Sequence, residues 1–122
     1  MKILVQHAKH ERTTGNVLGY TDVAEVNITE LLPFANEIEC LEYAYRWTNN
    51  VMGSWSIKKT SFPDPANGDR INGDYNEDVT VLAPRPDGMG QRSTMMGDRM
   101  IVDGVTYKVA VAGFKKVVPE NA

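Results

Sequence analysis

Two groups of side chains in this sequence have the residue types and spacing to bind something. The first is Tyr45, Trp47, Asn49, Asn50, Trp55 and Ser56, where aromatic rings lie among amides and a hydroxyl. Flat rings beside amide donors and acceptors can stack on, and hydrogen-bond, a planar ligand. The competing reading of the same residues is core aromatics followed by a polar helix stop. The second group is Arg92-Ser93-Thr94, followed by Gly97-Asp98. A guanidinium is a planar fork of donors that pairs bidentately with a phosphate or carboxylate. The two hydroxyls and the nearby backbone N–H groups would complete an anion site. The internal alternative is an arginine neutralised by Asp98 or Asp87 to fix its own loop.

Other constellations fail on spacing. His7, His10 and Glu11 suggest a metal, but a helical zinc motif needs His-Glu-x-x-His, and Thr14 occupies the second histidine position. His7 and His10 are therefore expected to be polar loop residues, and no metal is expected. Asn72, Asp74 and Asn76 begin like a calcium loop, yet Glu77 stands where the glycine belongs and Ala83 where the last glutamate belongs. Turn chemistry is the better account of that stretch. Cys40 is the only cysteine, so no internal disulfide or multi-cysteine zinc site can form, and it reads as a small buried hydrophobe in a helix. The chain has no Gly-rich phosphate loop with its lysine and no Gly-x-Ser-x-Gly elbow. Its carboxylates show no pattern that nominates an acid–base pair. The expectation is a protein without a cofactor, leaning away from catalysis.

Composition narrows the class. The chain has 122 residues, enough for a single domain with its own core. Its 13 basic and 16 acidic side chains leave a net charge of −3. A protein that works through phosphate contacts usually carries a basic excess. Lys58-Lys59 and Lys115-Lys116 are isolated pairs, so nucleic acid is an unexpected partner. No stretch approaches the ~20 apolar residues of a membrane span, and the run Ile3-Leu4-Val5 is short for a signal-peptide core. A cytoplasmic location without membrane association is expected.

The elements that must position these groups can be read in part. Ile3-Leu4-Val5 suits a buried strand, and Thr13-Thr14-Gly15-Asn16 is a turn signal. Val17 to Val26 has no clean period and could be a strand or a short helix. Asn36 followed by Glu39 is a capping pattern, and Ile38, Leu41, Ala44, Tyr45 and Trp47 recur at helical spacing. The main helix is predicted over 37–48. From Phe62 to Asp78 the Pro, Gly, Asn and Asp content marks a long loop with a short strand at Arg70-Ile71. Val79 to Leu82 is a strand stopped by Pro84. Met100-Ile101-Val102 and Val105 to Val111 flank Asp103-Gly104, the residues of a tight hairpin, with Gly113 bending the chain before Phe114. The pattern predicts an α+β domain: one main helix on a mostly antiparallel sheet, closed by a C-terminal hairpin.

With those residues in place, the stretches Val79–Pro84, Arg92–Asp98, Ile101–Tyr107 and Gly113-Phe114 resemble small accessory proteins of bacteriophages and other mobile elements. In those proteins an Arg-Ser-Thr/Met-x-x-Gly-Asp segment leads into a hairpin with a tyrosine and closes on Gly-Phe. Leu41–Asn49 is similar to the helix that precedes it. The resemblance implies a phage owner and a protein that inhibits or sequesters host machinery, defence systems included. A second resemblance is to head-to-tail connector proteins of tailed phages, carried by Val81–Pro84 and Gly97–Tyr107. The expected function is a non-enzymatic binding protein, homo-oligomeric, that holds a host protein or a small anionic, nucleotide-like signalling molecule. A structural virion connector is the alternative, and a small hydrolase the third.

Overall fold

In the computed structural model, which describes residues 2–28 and 36–118, the N-terminal strand organises the sheet. β1 (Lys2–His10) lies at its centre, with β2 (Val17–Asn27) antiparallel on one side. On its other side lies β6 (Arg99–Val102), also antiparallel. Period-two alternation puts Ile3 and Val5 on the same face as Ala24, Val26, Met100 and Val102, all of which are buried. β5 (Val79–Val81) extends the sheet beyond β2. β7 (Val105–Val109) and β8 (Phe114–Lys116) extend it beyond β6, giving the order β5-β2-β1-β6-β7-β8. Every described strand pair is antiparallel.

Helix α1 (Glu37–Trp47) covers the apolar face. It starts where expected because Asn36 caps it, its side-chain oxygen accepting the Glu39 N–H at 2.9 Å. Cys40, Leu41 and Ala44, one turn of a single helical face, join Ile3, Val5, Val26 and Met100 in the core. The fold is α+β, as the sequence pattern predicts.

Beyond one-residue shifts at the ends of α1 and β5, three elements differ from the sequence reading, each for a physical reason. β1 runs on to His10, well past the apolar run, because β2 pairs with it throughout. His7 and His10 are therefore strand residues and not loop residues. β2 is a strand whose alternation is broken by a bulge: Val5 opposes Ala24 but Gln6 opposes Asp22. Val23 is the extra residue, so both Val23 and Ala24 are buried. That defect is why 17–26 shows no clean period. The expected strand to Val111 stops at Val109, where Gly113 at φ +78° allows a tight turn closed by the Ala110 N–H on the Gly113 carbonyl.

The Asp103-Gly104 turn forms as predicted, with φ of 48° and 78°. In the long polar stretch, β3 (Ser61–Phe62) and β4 (Arg70–Ile71) pair as a small separate ribbon. Among the described residues no helix is long and apolar enough to cross a membrane.

Candidate functional site

β1 is longer than β6, so beyond Gln6 its backbone has no strand partner on that side. Two side chains take over. The Ala8 N–H donates to Asp98 Oδ1 at 2.8 Å, and the Ala8 carbonyl accepts from Arg92 Nη2 at 3.1 Å. Arg92 and Asp98 are themselves joined bidentately, Nη1 to Oδ2 at 2.7 Å and Nη2 to Oδ1 at 2.8 Å. The Met95 N–H supplies the fourth bond to the carboxylate at 2.8 Å. Asp98 is fully buried. Burial alone would raise its pKa, but the Arg92 guanidinium and the Ala8 and Met95 amides outweigh it and hold the carboxyl below its ordinary range. Of the two internal partners the sequence offers Arg92, the fold selects Asp98; Asp87 is taken by Arg85.

A hydroxyl relay adjoins this pair. Thr48 Oγ1 donates to the Ala44 carbonyl and Thr94 Oγ1 donates to Thr48 Oγ1, both at 2.8 Å. With its proton committed, Thr94 Oγ1 is left to accept from His7 Nε2, 2.9 Å away. His7 is thereby held as the neutral Nε2–H tautomer. Burial, the largest influence, lowers its pKa to about 4; Asp98 opposes the shift and Arg92 adds to it. Trp55, wholly buried, meets the His7 ring edge-on at 6.0 Å and donates its indole N–H to the Arg92 carbonyl at 2.9 Å.

Most of the predicted site residues are bonded within the fold, while Tyr45 also lines a surface cavity of about 270 Å³ with Glu42 and Phe114. Arg92 is held by Asp98 and Thr94 by the relay, while Ser93 Oγ accepts the Asn50 N–H at 2.8 Å. Asn50 in turn accepts the Trp55 N–H and donates to the Gln91 carbonyl, each at 3.0 Å. Asn49 turns back to the Tyr45 carbonyl as a helix stop. Tyr45 packs edge-on against Phe114, and Trp47 lies against Tyr43 and under the Arg46 guanidinium. The two tryptophans do not share a surface, since Trp55 is inside the core and Trp47 is only partly covered.

A second buried knot was not visible as such in the sequence. Asp74, fully buried, receives the Val51 and Met52 N–H groups on Oδ2 at 2.8 and 2.9 Å. Arg46 Nη1 reaches its other oxygen at 3.1 Å. Asn72 is 4% exposed; its Oδ1 accepts from the Ser54 N–H at 2.9 Å, and its amide donates to the Ser54 and Lys59 carbonyls at 2.9 and 2.8 Å. These are the residues that begin like a calcium loop, and they grip backbone instead. Their alternation at 72, 74 and 76 was the available signal. Two glycines make room: a Cβ on Gly53 would lie 2.2 Å from Asn72 Oδ1, and one on Gly73 would lie 2.7 Å from Met52 Cε.

What the second knot holds is a surface. With their amides turned inward to Asp74, Val51 and Met52 point outward, 63% and 65% exposed. Together with Gly53 and Arg70 they line a concavity of about 450 Å³. Large apolar side chains this exposed are what protein interfaces bury, and methionine adapts to several partner shapes. A carboxylate stripped of water is costly unless fully bonded, and here its bonds set the direction of two apolar side chains. Comparison with known protein families, with curated proteins and with solved structures finds no match to this chain.

Proposed function

We propose that this chain is a phage-encoded, non-enzymatic binding protein that sequesters a host protein through the surface made by Val51, Met52 and Arg70. One observation carries the reading: two adjacent apolar side chains, each nearly two-thirds exposed, have their backbone amides fixed by a single buried carboxylate. A loop already ordered in its binding conformation loses less entropy on association, so more of the contact energy is realised as affinity. Arg70 and Met52, which both line the concavity, are residue types enriched at interfaces. The phage owner and the role against host defence rest on the resemblance of the C-terminal half.

The test is a double variant, Val51→Asp with Met52→Asp, expressed in a host that carries an antiviral defence system. Both positions are exposed, so the melting temperature is expected to stay close to that of the parent. Phage plating efficiency is expected to fall to the level seen without the protein. Full protection by the folded variant overturns the assignment of this surface. Recovery of the chain from purified virions in a ring-sized multiple would favour the connector reading instead.

A further inference from the structure

The sheet has one face covered by α1 and one face open. Period two puts Arg99, Lys108 and Lys115 on the open face, and the register places Arg99 directly across from Lys108 and Lys108 directly across from Lys115. Three cations thus lie side by side over β6, β7 and β8, at the ~4.8 Å spacing of neighbouring strands. Like charges directly opposite weaken a sheet, and among the described residues none of the three takes part in an ion pair. Arg99 instead lies over the Tyr20 ring at 4.0 Å. Lys108 and Lys115 border an apolar concavity of about 330 Å³ lined by Met96, Gly97, Val109 and Val111. Met96 and Val111 are 55% and 90% exposed.

The covering helix carries the complement. Its inner face is Cys40, Leu41 and Ala44, which leaves Ile38, Glu39 and Glu42 outward, Ile38 at 48% exposure. We propose that α1 of one copy docks on the open face of the next, Glu39 and Glu42 against Lys108 and Lys115, with Ile38 in the Met96 concavity. A protein of net charge −3 is a poor polyanion binder, and the row spans only three strands, so a short acidic and apolar surface fits it better than a nucleic acid. The two surfaces lie on opposite sides of one sheet, so each contact leaves one of each kind free. Growth is head to tail, and ends in a ring if the rotation closes.

The experiment is sedimentation of the full chain at low salt, ~20 mM, and again at ~0.5 M, where exposed charges are screened. Wild type is expected to form species larger than a dimer at low salt and to dissociate at high salt. The neutralised variants Lys108→Gln/Lys115→Gln and Glu39→Gln/Glu42→Gln are each expected to be monomeric, with melting temperatures near that of wild type. Mixed one to one, they retain one good surface each and are expected to form a dimer and nothing larger. A wild-type monomer at low salt overturns the proposal, as does either variant assembling like wild type or a mixture that stays monomeric. Binding of a labelled single-stranded oligonucleotide to the Lys108 and Lys115 row without self-association also overturns it and identifies the row as a nucleic-acid contact.

Discussion

Arg92 and the buried Asp98 form a bidentate pair that completes the backbone pairing of Ala8, at the point where β6 ends and β1 continues. The pair replaces a strand neighbour: one member donates to the carbonyl and the other accepts from the amide. Its role is to let a long central strand extend past a short partner without orphaned backbone groups.

Breaking this pair therefore weakens the fold. Asp98→Ala leaves the guanidinium and two amides without their acceptor, and is expected to lower stability by about 3 kcal/mol. Arg92→Lys keeps the charge but cannot bond both carboxylate oxygens and the Ala8 carbonyl together, and is expected to cost about 1–2 kcal/mol. Urea midpoints at constant m-value are the measure. An Arg92→Lys protein as stable as wild type would return Arg92 to the role of ligand holder.

His7 makes stability fall with acidity. It titrates near 4 in the folded chain against an ordinary 6.5, so the unfolded chain takes up its proton first as pH falls. The contribution is whole above pH 6.5 and is lost progressively down to about 4, up to about 3 kcal/mol. Asp98, held below the ordinary carboxylate range, adds a loss that begins as pH falls into that range and continues beneath it. Denaturant titrations at stepped pH should show both, and His7→Gln should flatten the upper part while leaving the lower.

Asp74 should control the exposed loop as well as the global fold. Asp74→Asn keeps one acceptor oxygen and is expected to cost about 1–2 kcal/mol, Asp74→Ala about 3. Amide exchange at Val51 and Met52 is expected to quicken at least about tenfold in either variant, because both N–H groups lose a charged acceptor. Unchanged exchange at those two amides would detach the loop's order from the carboxylate.

The Asp103-Gly104 turn is sensitive to geometry and not to space. Gly104 sits at φ +78° with nothing within 4 Å of where a Cβ would lie. Gly104→Val is thus expected to lower stability by about 1–2 kcal/mol through backbone strain, and Gly104→Asn by much less. Thermal melts of the two side by side separate strain from crowding.

What the sequence determined by itself lay within a few residues of its cause. Asn36 and Glu39 marked a helix start, Asp103-Gly104 a tight turn, and the alternation after Val105 a half-buried strand, because caps, turns and pleats are set by neighbouring backbone. The tertiary structure alone decided where side chains with several possible partners would turn. Arg92 had Asp87, Asp98 or a ligand to choose from, and the unpaired edge of β1, 84 residues away in the chain, fixed the choice. Asn72 and Asp74 read as turn residues, and only the approach of Val51 to Ser54 made them anchors. His7 read as a loop residue until β2 gave its strand a partner and Thr94 gave its ring a bond. A buried polar group must be satisfied by whatever the fold brings within about 3 Å, and that distance is a property of the packed chain.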